Sequence, residues 1–263
     1  MNIGLKEMQN IETEILKAVH NLCEKYNITY YLGFGTMLGA VRHQGFIPWD
    51  DDIDILMPRE DYDKFLRIAS KELTEPYKLK YPQNTNPYLY DFAKVEDMRT
   101  KIIETVYSYL EIDSCIYIDI FPIDGCPSSK ILRIIHLKHV EFWQQLLAMY
   151  YSDLNKPRSR WKRLVIKLVK KFFNQNVLIK HIEGTMRKYD FSKCNYVGYY
   201  EGKSNELIPK RFFGKPTLVE FENQMFWGVE NATDYLTALY DDYMKLPLEN
   251  DRVAHTHSLV EYR

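Results

Sequence analysis

Asp50, Asp51, Asp52 and Asp54 crowd into the stretch Trp49-Asp-Asp-Asp-Ile-Asp-Ile55, and Leu56 and Met57 follow at once. Acidic residues alternating with aliphatic ones read as a strand over 52–57 with a single polar face. In such a strand Asp50, Asp52 and Asp54 point to one side while Asp51 and Ile53 point to the other. Carboxylates sharing one face of an apolar strand repel one another, and desolvation worsens the repulsion. A hard divalent cation relieves both problems. Mg²⁺ takes carboxylate oxygens and keeps places for waters and phosphates. A calcium EF-hand does not fit, because Ile55 stands where that loop requires glycine. A solvated acidic turn fits poorly with the apolar run that follows.

Asp119 supplies a further carboxylate, isolated among apolar neighbours in Tyr117-Ile-Asp-Ile-Phe-Pro-Ile-Asp124. A buried, unpaired carboxylate is costly, so Asp119 needs a cation beside it. Asp52, Asp54 and Asp119 are therefore the expected catalytic, metal-holding residues, with Asp50 as an accessory. Asp124, placed after Pro122, reads as a turn residue. Upstream, Gly35-Thr36 opens a helix with Thr36 near its N-cap, offering backbone N–H groups and a hydroxyl to a phosphate. Arg42 suits a diphosphate through its planar fork, or else pairs with Asp50 or Asp51. His43 is a loop-packing residue or an aid to proton transfer. Lys94, between Ala93 and Val95, faces a phosphate or forms an ordinary ion pair.

Several elements must hold these groups. Leu5, Met8, Ile15, Val19 and Leu22 recur at helical spacing and predict an amphipathic helix over 5–25. A short strand over 28–32, a helix from Thr36, and a helix over 59–73 after Pro58 follow. A second strand covers 115–121 and stops at Pro122. Residues 130–190 read as mostly helical. Apolar runs at 217–221 and 225–229 precede a helix over 232–244.

Net charge is −1, but it divides unevenly: −8 over residues 1–125, +11 over 126–193 and −4 over 194–263. These boundaries predict a catalytic core, a basic helical insertion and a C-terminal part completing the catalytic domain. The first residues carry charge and lack an apolar signal segment, and no stretch is long and apolar enough to span a bilayer. The four cysteines have no C-x-x-C spacing and read as reduced thiols in a cytosolic protein, with no zinc site.

The segment Gly33-Phe-Gly-Thr-Met-Leu-Gly-Ala-Val-Arg-His-Gln-Gly-Phe-Ile-Pro-Trp-Asp-Asp-Asp-Ile-Asp-Ile55 closely resembles the signature of the LicD phosphotransferases, a family that includes the fukutin and fukutin-related proteins. The resemblance extends through Met57-Pro-Arg-Glu-Asp-Tyr62, reappears at Ile118-Asp-Ile-Phe-Pro122, and is weaker in Tyr240-Asp-Asp-Tyr-Met-Lys-Leu-Pro247. It covers most of 1–125 and the C-terminal third; the basic middle is least similar. It implies an α/β (α+β) fold, a nucleotidyltransferase-like mixed sheet flanked by helices. It further implies transfer of phosphocholine, or a similar phospho-alcohol, from CDP-choline or a related CDP-alcohol to a lipid-linked glycan of teichoic acid or lipopolysaccharide. One or two Mg²⁺ ions, or Mn²⁺, would sit on Asp52, Asp54 and Asp119. Asp241 departs from the family's Tyr-Gly-Asp-Tyr-Met pattern.

A choline headgroup has no N–H donors, so an aromatic cage is the natural way to hold it. With 21 Tyr and 4 Trp in the chain, Trp227 and Tyr243 are the candidates named for that cage. In the basic middle, Trp161, Leu164, Val165, Leu168 and Phe172 form one helical face, and Lys162, Arg163, Lys167, Lys170 and Lys171 the other. Either that apolar face packs on the catalytic domain, or 156–173 lies on anionic lipid at the inner face of the cell membrane. No nucleic-acid reader motif is present. Competing readings are a nucleotidyltransferase that moves a nucleoside monophosphate, a sugar transferase using Asp-x-Asp, and a non-catalytic nucleotide- or metal-binding module.

Overall fold

A computed structural model describes residues 3–103, 108–110, 112–200, 206–248, 252 and 259–263. Helix α1 (Leu5–Tyr26) buries Met8, Ile11, Ile15, Val19 and Leu22 along one stripe, as the apolar spacing predicts. It ends at Asn27, whose left-handed backbone turns its N–H back onto the Cys23 carbonyl. Strand β1 is short (Tyr31–Leu32) and leads into α2 (Phe34–His43). Next come β2 (Asp54–Pro58), α3 (Arg59–Glu72), β3 (Tyr77–Lys80), β4 (Ala93–Ile103) and β5 (Ser114–Cys126). Three helices follow: α4 (Lys130–Tyr150), α5 (Arg160–Phe172) and α6 (Gln175–Met186). The chain then forms β6 (Tyr196–Gly198), β7 (Ile208–Pro209), a β8–β9 hairpin (Thr217–Phe221, Gln224–Gly228), α7 (Ala232–Tyr240) and β10 (Leu259–Tyr262).

The main sheet is mixed, in the order β1-β2-β5-β4-β10. β2 and β5 run parallel; β1 on β2 and β4 on β5 are antiparallel. The outer edge of β4 is shared, β3 pairing with its first half and β10 with its last residues. α1 packs against β4 and β5. A single apolar cluster draws Ile15 and Leu16 of α1, Ile55 and Met57 of β2, Ile118 and Ile120 of β5, Val140 of α4, and Ile182 of α6 into one core. The architecture is the mixed α/β sheet flanked by helices that the sequence leads one to expect.

Several local expectations fail for identifiable reasons. β2 starts at Asp54 rather than 52, because the preceding residues are held in a turn: Asp50 N–H donates to the Ile47 carbonyl at 2.8 Å, and Gln9 Nε2 donates to the Asp50 carbonyl at 2.8 Å. Face alternation therefore does not govern Asp50 and Asp51, and both are buried. Pro122 does not stop β5. The ladder to β4 ends at Ile120, so the missing N–H has no rung to break on that side, and β5 continues to Cys126. Asp124 is no turn residue: it lies in β5, buried, bridged by both Nε and Nη2 of Arg59. Helix α7 ends at Tyr240, and Asp241 adopts φ 55° and ψ −110°, a conformation glycine takes without strain.

Candidate active site

The parallel pairing of β2 with β5 sets Asp54 opposite Asp119, and the antiparallel pairing of β5 with β4 sets Asp119 opposite Lys94. Register partners place side chains on the same face of a sheet. Asp54, Asp119 and Lys94 thus form a row across three adjacent strands. Lys94 Nζ lies 2.9 Å from Asp119 Oδ1, with the Lys94 side chain 4% and the Asp119 side chain 13% exposed. Among the described residues Asp119 Oδ1 has this counter-charge and no aligned hydrogen-bond donor. Aromatic faces complete the surroundings of the ammonium, 3.3 Å from the ring centre of Tyr117 and 4.0 Å from that of Tyr90. Burial pulls the Lys94 pKa down, yet Asp119 together with Tyr117, Tyr90 and Tyr88 outweighs it and the net direction is well upward. Burial raises the Asp119 carboxyl, with Lys94 opposing.

Helix α2 is tied to this row at its first turn. Thr36 is not the N-cap; Gly33 is, and the Thr36 hydroxyl accepts the Asp54 backbone N–H at 2.8 Å. Gly33 N–H donates to the Asp54 carbonyl at 2.9 Å, and Asp119 N–H donates to the Ile53 carbonyl at 2.8 Å. A Cβ at Gly35 would meet Asp50 Oδ2 at 3.0 Å, tight enough to displace that carboxylate oxygen by a few tenths of an ångström. Phe34 enters the helix at φ 40°, a left-handed value unusual for an aromatic residue, with its N–H held by the Tyr235 hydroxyl at 3.1 Å. Neither Phe34 nor Tyr235 announces itself in the sequence.

Negative charge accumulates around this turn. Burial pushes the Asp50 carboxyl up to about 6, opposed by a hydrogen bond shared with Asp52. Glu12, on α1 and 1% exposed, is raised well above the usual carboxylate range, by burial first and then by Asp52, Asp51, Asp50 and Asp119. Among the described residues its Oε2 is buried without a hydrogen-bond partner. The one-dimensional pattern hides Glu12, because it reads there as a polar position on an amphipathic helix.

Other expected residues lie elsewhere. Arg42 Nη1 donates to the Tyr243 carbonyl at 2.8 Å, and Arg42 Nε donates to His43 Nε2 at 2.9 Å. Arg42 therefore fastens the segment after α7. The bond it donates fixes His43 as an acceptor at Nε2; burial, then the Arg42 charge, lowers the His43 pKa. Trp227 packs against Tyr30 and His20, with ring centres 5.3 Å and 5.6 Å apart. Among the described residues no ring contact joins Trp227 to Tyr243. An aromatic surround of a cation is formed at Lys94 by Tyr90 and Tyr117. It adjoins a cavity of about 290 Å³ that Tyr88, Tyr90, Tyr117, Lys80, Lys94 and Glu96 help to line.

Comparison with known proteins decides the family. Residues 27–126 match the family described as LicD/FKTN/FKRP, nucleotidyltransferase domain. The lipopolysaccharide cholinephosphotransferase LicD of Haemophilus influenzae is 34% identical over 266 residues, covering 96% of each chain. The chain belongs to the LicD family. Shorter matches reach two uncharacterized Rickettsia proteins. That of Rickettsia prowazekii is 54% identical over 73 residues (28% of this chain, 27% of that one), and that of Rickettsia typhi 44% over 68 residues (26% and 22%).

For a LicD-family chain the fit of these residues to a metal ion is a matter of donor chemistry. Among the described residues no three His, Cys, Asp or Glu side chains are drawn close enough to hold an ion by themselves. A hard cation held by one or two carboxylates, with waters and phosphates completing its shell, asks for less. The donors here are all oxygens, and Asp119 Oδ1 and Glu12 Oε2 are buried without aligned donors. Such acceptors suit Mg²⁺ or Mn²⁺ and not a thiolate-seeking metal.

Proposed function

We propose that this LicD-family enzyme transfers phosphocholine, or a similar phospho-alcohol, from CDP-choline or a related CDP-alcohol to a hydroxyl of a lipid-linked glycan precursor of lipopolysaccharide or teichoic acid. The observation that carries the reading is the Asp54–Asp119–Lys94 row, which sets two carboxylates and a buried cation on one face beside a cavity. The full-length likeness to a lipopolysaccharide cholinephosphotransferase supports both the headgroup and the acceptor class.

The acceptor oxygen forms a bond to the distal phosphorus, the bond from that phosphorus to the bridging oxygen breaks, and CMP departs with the electron pair. The hydroxyl proton passes to Asp119, the carboxylate whose basicity burial raises and Lys94 limits. Asp54 and Asp119, opposite each other on one rung, would hold Mg²⁺ together with phosphates and waters, with Asp52 and Asp50 lending charge from the adjoining turn. When bound, the ion supplies neutralisation of the phosphate charge. Gly35 and Thr36 keep the first turn of α2 close to Asp50 and Asp54. The cavity suits a zwitterion: Lys94 and Lys80 favour its phosphate, while the faces of Tyr88, Tyr90 and Tyr117 suit a trimethylammonium group.

Incubation with Mg²⁺ and a panel of CDP-alcohols, with and without acceptor glycan, tests this. CMP release that requires both CDP-choline and glycan is the expected result. Pyrophosphate released from CTP, with nucleotide left on the acceptor, would establish the nucleotidyltransferase reading in its place.

A further inference from the structure

Helix α5 carries three distinct stripes rather than two. Ile166 and Val169 are turned inward, 3% and 5% exposed. Trp161, Leu164, Leu168 and Phe172 line up on another side at helical spacing, yet remain 71%, 48%, 45% and 68% exposed. Arg160, Arg163, Lys167 and Lys171 are exposed along the neighbouring flank. The apolar face read from the sequence is therefore not the one that packs on the protein: other residues do that, and most of that face meets solvent.

Helix α4, which packs beside α5, carries an exposed apolar stripe of its own. Ile131, Leu132 and Ile135 are 72%, 54% and 59% exposed near its start, and Phe142 is 52% exposed further along. The two helices adjoin through aromatic rings: Phe142 lies 5.3 Å from Trp143, and Trp143 lies 6.3 Å from Phe173, just past the end of α5. Large apolar side chains gathered on a rim of basic ones mark an interaction surface rather than ordinary scatter. No acidic residue occurs between Asp153 and Glu183. The charge complement of this face is an extended anionic surface. At 13 residues α5 is about 20 Å long, and among the described residues no helix is long and apolar enough to cross a membrane. Contact in the plane of the interface is what remains.

We propose that the exposed faces of α4 and α5 dock the enzyme on an anionic lipid bilayer, with Trp161 and Phe172 inserted at the headgroup boundary and the α5 cations against the phosphates. The inference stands apart from the active-site reading, since none of these residues belongs to that site. It extends the expected contact at 156–173 to a second helix.

Co-sedimentation with vesicles tests it, one set containing phosphatidylglycerol and one of phosphatidylcholine alone. The intact protein should bind the anionic vesicles, bind the neutral ones at least about tenfold more weakly, and be released by salt. Trp161→Ser/Phe172→Ser and, separately, Lys167→Ala/Lys171→Ala should each weaken binding roughly tenfold or more. Ile131→Ser/Ile135→Ser should weaken it too, and all three variants should keep the far-ultraviolet spectrum and melting temperature of the parent. Equal binding to both vesicle types, or no binding, overturns the proposal. So does concentration-dependent self-association abolished by Trp161→Ser, which would make a second copy of the chain the occupant.

Discussion

Asp54 and Asp119 stand opposite each other on one rung of the parallel β2–β5 ladder, with Lys94 on the next strand closing the row. The Gly33 N–H donates to the Asp54 carbonyl, the Thr36 hydroxyl accepts the Asp54 N–H and the Ile53 carbonyl accepts the Asp119 N–H, and together these hold that rung in place. The pair is thus set by the sheet and not by a loop. Asp54→Asn and Asp119→Asn should each lower transfer by about 100-fold or more while leaving the circular-dichroism spectrum unchanged. Near-parental turnover in either variant would remove that residue from the chemistry.

Lys94 is held by charge as much as by packing. Removing it leaves Asp119 buried without its counter-ion, so Lys94→Met should cost about 3–5 kcal/mol in urea unfolding. Adding Asp119→Asn to that variant should restore most of the loss, because the uncompensated charge is gone. A double variant as unstable as the sum of the singles would contradict the coupling.

Burial, and then the acidic turn, push Glu12 towards its protonated form, a cost that folding imposes on this carboxyl. Without divalent ions, Glu12→Gln should raise the melting temperature by about 2–4 °C, the shift expected for roughly 1 kcal/mol in a chain of this size. It should also shrink the further rise that Mg²⁺ produces. Differential scanning calorimetry with and without Mg²⁺ reads both effects, and a lower melting temperature in metal-free buffer would count against the repulsion.

Asp241 sits at φ 55° and ψ −110° where the resemblance calls for glycine. Asp241→Gly should stabilise the fold by about 1 kcal/mol through relief of that backbone conformation. Chemical denaturation showing no gain, or a loss, would mean that the Asp241 side chain compensates for it.

His136 is 5% exposed, set edge-on to Tyr189 and Tyr200, and among the described residues its Nε2 has no hydrogen-bond partner. Burial, then the charges of Lys188 and His139, lowers its pKa to about 4. The unfolded chain therefore binds this proton at higher pH than the folded one. Stability is level in this respect above about pH 6.5 and falls as pH drops towards 4, by roughly 3 kcal/mol at the lower end. His136→Phe should flatten that limb of the stability–pH curve. An unchanged acid limb would show that other groups govern it.

Much of the site was legible because its residues are close in sequence or sit in strongly patterned strands. The acidic run after Trp49, the isolated Asp119 and the Gly35-Thr36 turn all lead to the same end of the sheet. What stayed hidden depends on long-range packing. Glu12 reaches the acidic turn only because α1 lies across the sheet; Tyr117 meets Lys94 through the β4–β5 register, and Tyr90 through the segment that leads into β4. Asp124 read as a turn residue because Pro122 precedes it, whereas the ladder geometry carries β5 past the proline. The basic segment was legible as an amphipathic helix, but helical spacing alone could not tell which stripe of α5 faces inward.

Mass spectrometry of the acceptor glycan after reaction with CDP-choline tests the central claim most directly, with the intact enzyme and Asp119→Asn run in parallel. The account predicts a glycan heavier by one phosphocholine group with the intact enzyme, an equal amount of CMP, and almost no product from the variant. A glycan that gains cytidine monophosphate, or full product from Asp119→Asn, would contradict it.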